Sequence, residues 1–277
     1  MTRTPNVTLN DGVTMPQLGF GVFQVPNDET KTAVTRALEA GYTSIDTATA
    51  YRNEEAVGQA IAESDVPRDD LFVTTKLWNA DQGHDKTLRA FDTSLAKLGL
   101  DHLDLYLIHW PTPARGLHVE TWKAFTKLLS DGRVRSIGVS NFQPDHLRQV
   151  IDATGVVPSV NQVELHPFFD QKALRAFHAE HGITTEAWSP LGQGGELLSD
   201  GTVTAVAAKH GRSPAQVVLR WHLQLGNVVI PKSVTPSRIA ENIDVFDFTL
   251  DDEDVAALSG LDTGKRLGPD PDTFNQA

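Results

Sequence analysis

Eight short apolar runs, separated by stretches with helical spacing, limit this chain's folding options more than any other feature. The runs cover residues 17–21, 44–46, 71–75, 103–109, 136–140, 159–164, 184–188 and 228–231. Between them, residues 29–40 carry Ala33, Val34, Ala37 and Leu38 on one stripe before Gly41. Residues 84–98 do the same with Leu88, Phe91, Leu95 and Leu98 before Gly99. Helical periodicity closed by a glycine predicts an amphipathic helix. Similar stretches follow at 120–129, 144–153, 171–181, 203–210 and 214–225. Strands alternating with helices pair in parallel through right-handed crossovers.

Two architectures satisfy that pattern, a closed barrel and an open doubly wound sheet. The open sheet usually carries a glycine-rich fingerprint after its first strand. Gly19-Phe20-Gly21, the one candidate, lacks both the third glycine and a prompt helix. The expectation is therefore an α/β fold, a (β/α)8 TIM barrel, with extra helices near the C-terminus. Alternating apolar residues around Asn10-Asp11-Gly12 predict an N-terminal β-hairpin over residues 7–16. No linker, charge block or low-complexity tract interrupts residues 1–277, which read as a single domain.

Composition excludes several function classes. There are no cysteines, so disulfides, thiolate metal sites and cysteine nucleophiles are ruled out together. A formal net charge of −12 disfavours nucleic acid and anionic membranes as partners. No apolar stretch approaches the roughly 20 residues that a membrane span needs, and the first residues lack a signal-peptide core. A cytoplasmic protein is the expectation. With no heptad or exposed apolar stripe, a monomer is expected as well.

In a parallel barrel the carboxyl ends of all strands share one face, where chemistry collects. Asp46, Tyr51, Lys76 and His109 each follow an apolar run, so a carboxylate, a phenol, an amine and an imidazole can converge there. A phenol near pKa ~10 is a poor acid alone. A neighbouring ammonium favours its ionised form, and a carboxylate keeps that ammonium charged. An imidazole can orient and polarise a carbonyl by hydrogen bonding. The set suits reduction of an aldehyde or ketone. Each residue also has a plainer role: a strand-end Asp as a cap, a loop Tyr as packing, a buried Lys as one half of an ion pair, His109 as a strand cap.

Several segments carry a family resemblance. Gly41-Tyr-Thr-Ser-Ile-Asp46-Thr-Ala-Thr-Ala-Tyr51-Arg-Asn-Glu54-Glu-Ala-Val-Gly58 closely resembles the first aldo-keto reductase signature. Thr75-Lys76-Leu-Trp78, Leu105-Tyr-Leu-Ile-His109-Trp-Pro111 and Ile137-Gly-Val-Ser-Asn141-Phe match further motifs, as does Ile230-Pro-Lys232-Ser233 with Arg238-Ile-Ala-Glu241-Asn242. The resemblance implies a (β/α)8 barrel, NADPH/NADP+ as cofactor, and Tyr51 as proton donor assisted by Lys76 and Asp46. Thr43 departs from the family, which commonly has an arginine there; it lies away from the tetrad, and no loss of activity is expected.

Without a dinucleotide fingerprint, the cofactor's anionic end needs another seat. Thr235-Pro236 reads as an N-cap with proline in the first turn, and helix N-termini bind phosphate. Lys232 and Arg238 make a positive island beside it, suited to a 2′-phosphate. Ser233 and Val234 adjoin that island, and the resemblance places Glu241 and Asn242 at adenine. Ser140, Asn141 and Gln162 can hydrogen-bond a carboxamide, and Trp188 can stack on a ring. Gly21, Val22, Asp46, Ser189, Leu191, Gly192 and Gln193 complete the expected cofactor contacts, the last four as a turn over the pyrophosphate. Phe23, Trp78 and Trp110, with Tyr51 and His109, should rim the substrate pocket. The short 109–118 loop implies an open pocket, and the segment 261–277 is expected either to drape over it or to be disordered. Together these features resemble bacterial reductases of the 2,5-diketo-gluconate type, acting on small polar carbonyls.

Two other classes fit part of the pattern. Lys76 could serve as a Schiff-base nucleophile in a lyase, which needs a depressed pKa that Asp46 opposes. A barrel that binds cofactor without turnover would keep Lys232 and Arg238 but reduce nothing. No metal is expected, because His109, His166 and Asp46 lack ligand spacing.

Overall fold

A computed structural model of the chain describes residues 4–277. The hairpin pairs β1 (Asn6–Thr8) with β2 (Thr14–Pro16), antiparallel. Leu9 N–H donates to Val13 O at 2.8 Å, and Gly12 takes the positive φ of +86° that the tight turn needs. Leu9 and Met15 pack against Phe72, Leu105, Leu107, Val160 and Val228. Asn10 Nδ2 donates to Pro158 O at 3.1 Å, and the Ser136 hydroxyl donates to Asp11 Oδ2 at 2.6 Å. The hairpin is therefore a plug for the amino end of the barrel.

The barrel strands are β3 (Phe20–Gly21), β4 (Ser44–Asp46), β5 (Phe72–Leu77), β6 (Leu103–Ile108), β7 (Val134–Ser140), β8 (Val160–Glu164), β9 (Thr184–Trp188) and β10 (Val228–Val229). They lie parallel in chain order. A parallel bridge from Leu18 to Val229 joins the two edges, with Gly19 N–H on Val229 O at 2.8 Å. Closure leaves no edge to aggregate. Every residue of β5 and of β6 is buried, as strands covered on both faces must be.

Helices α1 (Asn27–Glu39), α2 (Glu54–Ala62), α3 (His84–Leu98), α4 (His118–Ser130), α5 (Pro144–Thr154), α6 (Lys172–His181), α7 (Gly201–His210) and α8 (Pro214–Gln224) surround the sheet. Two further helices, α9 (Pro236–Ile243) and α10 (Asp252–Ser259), follow the last strand. The TIM barrel, the hairpin and the extra C-terminal helices are as expected from the sequence.

Three details differ from that reading. Lys76 lies inside β5 rather than past its end, because pairing of Lys76 with Leu107 and Leu77 with Ile108 extends the strand. Thr235 occupies the N-cap of α9, yet its side chain makes no capping bond. Helix α2 escaped the periodicity reading, since it is only nine residues long and Val57 and Ile61 are its only large apolar side chains among Ala, Gly, Glu and Gln.

Gly58 explains that composition. A Cβ there would overlap the carbonyl of Leu98 at the end of α3, so only glycine permits this approach of the two helices. Glycine inside a helix ordinarily costs about 0.5–1 kcal/mol relative to alanine. Here the sign reverses. Gly58→Ala should destabilise the protein by roughly 1–3 kcal/mol through overpacking, seen as a lower urea midpoint at unchanged slope. A stabilised Gly58→Ala would show that α2 and α3 can separate freely.

Candidate active site

Four elements deliver the polar cluster to the carboxyl face. Asp46 ends β4, Tyr51 ends the 3₁₀ turn Thr49–Tyr51 that follows, Lys76 points inward from β5, and His109 directly follows β6. The Lys76 side chain is 0% exposed. Its Nζ donates to Asp46 Oδ1 at 2.5 Å, to Thr47 O at 3.0 Å and to the Tyr51 hydroxyl at 3.4 Å. All three ammonium protons thus have an acceptor. The Tyr51 ring is half-buried and meets Phe23 at 5.1 Å and His109 at 5.7 Å between centroids.

The electrostatics follow from one buried cation. Burial pushes the Lys76 amine down, but Asp46 and then Tyr51 more than offset it, so its pKa lies above the ordinary lysine value. Burial likewise raises the Tyr51 phenol, and Lys76 pulls it down without outweighing burial. Tyr51 therefore holds its proton at neutral pH, as a proton donor must. Burial, then repulsion by Lys76, holds His109 well below the usual imidazole range, so its ring is neutral.

On the opposite wall, Gln162 Nε2 donates to Asp46 Oδ2 at 2.9 Å and to Glu186 Oε2 at 2.8 Å. Ser140 Oγ donates to Gln162 O at 2.8 Å. Asn141 Nδ2 donates to His109 O at 3.0 Å, and Trp188 Nε1 donates to Asn141 Oδ1 at 2.8 Å. Gly21 pairs in register with Asp46, and Val22 N–H donates to Asp46 O at 3.1 Å. The predicted carboxamide group and the tetrad are thus one connected network.

Among the described residues, non-glycine backbone strain is confined to this face. Every non-glycine residue with positive φ among those described sits in a loop that leaves a strand's carboxyl end: Gln24, Arg52, Thr112, Asn141, Gln171, Ser189 and Gln193. Such conformations cost on the order of 1–3 kcal/mol each and persist where structure over-determines them. The turn with Ser189, Leu191, Gly192 and Gln193 runs into the short 3₁₀ segments before α7. Lys232, Val234 and Arg238 are exposed around the start of α9, Glu241 is half-buried, and Ser233 and Asn242 are buried. Arg212, by contrast, is held by Asp244 and Asp247. Lys232 and Arg238 join no ion pair among the described residues.

Phe23, 50% exposed, and Trp78 stand at the rim, with Trp78 at 5.5 Å from His109 between centroids. Trp110 is buried instead, because Phe274 of the C-terminal segment covers it at 4.5 Å. That segment is seated across the mouth. Leu267 and Gly268 N–H groups donate to buried Glu164 at 2.5 and 2.8 Å, and Asn79 Nδ2 donates to Gln276 O at 2.6 Å. Among the described residues no cluster of three potential ligands could hold a metal ion. No helix among the described residues is long and apolar enough to cross a membrane.

The aldo/keto reductase family model matches residues 17–263. The chain belongs to the aldo/keto reductase family. It is 61% identical over 272 residues to an aldo-keto reductase of Mycolicibacterium smegmatis, covering 98% of each chain. It is 56% identical over 275 residues to the methylglyoxal reductase DkgA of Escherichia coli, covering 99% of each. Among solved structures, a Gox0644 mutant in complex with NADPH superposes with a TM-score of 0.95 at 53% identity, covering 99% of both chains. Against this aldo/keto reductase background, the sequence reading lacked two buried acids, Glu164 and Glu186. Strand alternation puts Thr184, Glu186 and Trp188 on one face, a signal that could have placed Glu186 inside the barrel.

Burial, then the charge on Asp46, pushes Glu186 up to about 8 from an ordinary 4.5. The folded chain keeps this proton where the unfolded chain has lost it. Its contribution to stability is therefore complete below about 4.5 and is lost as pH rises toward about 8. The urea midpoint of Glu186→Gln, which cannot titrate, should gain on the parent protein across that interval. A constant difference between the two would mean that Glu186 is ionised in the fold.

Proposed function

We propose that this protein reduces the carbonyl group of small polar aldehydes and ketones, with NADPH as the reductant and Tyr51 as the proton donor. The observation that carries the reading is the Lys76 ammonium, held between Asp46 and the Tyr51 hydroxyl at the open end of the barrel. When bound, NADPH supplies a hydride to the carbonyl carbon. Tyr51 gives its proton to the carbonyl oxygen as negative charge gathers there. The Lys76 ammonium stabilises the phenolate left behind, and Asp46 keeps that ammonium charged. Neutral His109 donates a hydrogen bond to the same oxygen and so orients and polarises the carbonyl.

The residues present suit the cofactor. Lys232 and Arg238, in no ion pair among the described residues and beside the open start of α9, would hold the 2′-phosphate, with Ser233 and Val234 alongside and Glu241 and Asn242 toward adenine. Ser189, Leu191, Gly192 and Gln193 would cover the pyrophosphate, and Gly21 and Val22 the inner wall. Ser140, Asn141, Gln162 and Trp188 would face the nicotinamide. Phe23 and Trp78 make a partly apolar rim, backed by buried Trp110, suited to a compact substrate such as a keto-aldehyde or a keto-sugar. The methylglyoxal reductase relative is consistent with the smaller end of that range. A Schiff-base role for Lys76 fits less well, because Asp46 and Tyr51 favour its protonated, non-nucleophilic form.

Two measurements test this reading. Tyr51→Phe should bind NADPH as the parent does, while its turnover of methylglyoxal falls by about 10²–10⁴-fold, the usual share of a general acid; retained turnover would remove Tyr51 from the role. Arg238→Ala should weaken NADPH binding by about 1.5–3 kcal/mol, the range for a hydrogen bond to a charged group, and leave NADH nearly unchanged. Equal losses for both nucleotides would refute the 2′-phosphate assignment.

A further inference from the structure

Glu186 is a fully buried acid that the proposed chemistry does not use. It projects inward from β9, in register with Gln162 of β8, and its Oε1 has no partner among the described residues. Its other oxygen accepts the second proton of the Gln162 amide nitrogen, whose first goes to Asp46. The consequence is geometric. Asp46 determines which end of that amide is nitrogen, and Glu186 holds its plane. The carbonyl oxygen of Gln162 must then face away from both acids.

The neighbours make that oxygen informative. Asn141 spends its nitrogen on His109 O and Ser140 Oγ, and its oxygen on Trp188. Ser140 spends its proton on Gln162 O. Among the four side chains assigned to the nicotinamide, Gln162 Oε1 is the acceptor with no protein donor among the described residues.

We infer that Glu186 is a positioning residue that locks the Gln162 amide with its oxygen toward the cofactor, where it accepts the N–H of the nicotinamide carboxamide. Glu186 itself touches neither cofactor nor substrate. The inference rests on the NADPH reading above and adds to it the residue that fixes the Gln162 amide. Removing the acceptor at residue 186 leaves the amide held by Asp46 alone, so that its plane can tilt about the last torsion with one proton unpaired. An amide oxygen in place of the acid can still accept that proton.

The test is equilibrium binding by calorimetry, using NADP+, its 3-acetylpyridine analogue, which has no carboxamide N–H, and adenosine 2′,5′-bisphosphate, which has no nicotinamide. The parent should prefer NADP+ over the analogue by about twofold to twelvefold, the range for one hydrogen bond. Glu186→Met should lose that preference while holding adenosine 2′,5′-bisphosphate as the parent does. Glu186→Gln should restore the preference. A parent protein without the preference overturns the inference whatever the variants do, and so does a Glu186→Met that keeps it. A parallel loss of all three ligands in Glu186→Met, or a Glu186→Gln that fails to restore the preference, assigns Glu186 to packing and also overturns it. Failure of the parent to bind NADP+ at all would remove the NADPH reading itself, a result distinct from the loss of analogue discrimination alone.

Discussion

An ammonium group with no exposed surface must be paired or lose its charge, and the interior of this barrel is organised around that requirement. Taking such an ion out of water costs several kcal/mol even after relaxation. Lys76 recovers that cost with a carboxylate, a backbone carbonyl and a phenol, one for each proton. The pair with Asp46 brings the local charge to zero. Any further charge in the same volume would stand unbalanced, and the neighbours conform. Tyr51 keeps its proton, His109 is neutral, and Glu186 is pushed toward its acid form. Burial does most of this for all three groups, and the ion pair adds to it at His109 through Lys76 and at Glu186 through Asp46.

The architecture places that pair where it can act. The amino end of the barrel is sealed by the hairpin and by apolar side chains around Leu105 and Leu107. The carboxyl end is built from loops that hold seven non-glycine residues at positive φ. Strain of this kind persists only where tertiary contacts over-determine the backbone. The Asn141 contacts show how that is done: its side chain is tied to β6, β7 and β9 loops at once through His109, Ser140 and Trp188. Rigid strands below and fixed loops above leave the polar groups little freedom to drift out of register.

Much of this was legible in the sequence because barrel geometry converts position along a strand into position in space. Asp46 and His109 close apolar runs and therefore had to reach the carboxyl face. Lys76 was harder, since pairing with β6 carries its strand two residues beyond the apolar run. Helix α2 was hidden by Gly58, whose presence answers to Leu98 in a neighbouring helix and not to its own helical stripe. Glu186 gave no composition signal, because a lone acid in a strand reads as solvent-facing until the strand is known to be covered on both sides. The path of the last residues was open between draping and disorder, and only long-range contacts decide it: Glu164 lies more than a hundred residues from the backbone it holds.

Those contacts give the C-terminal segment a place in the site that its composition hides. Gly268 sits so close to Trp188 that a Cβ there would approach the indole to 2.5 Å, while Phe274, a few residues on, lies against Trp110. The first aromatic belongs to the wall assigned to the nicotinamide and the second to the wall assigned to the substrate. A single short stretch of backbone therefore spans both. What anchors it is Glu164, whose two oxygens accept from consecutive amides while His166 donates to one of them. Burial pushes the Glu164 carboxyl up, but those bonds together outweigh it and hold it below its ordinary value, so the clamp stays charged at neutral pH. Burying a carboxylate is tolerable only when its lone pairs are filled, and here the groups that fill them belong to the segment lying across the mouth. The cover is thus part of what makes the barrel wall stable, and cannot be treated as an appendage to it.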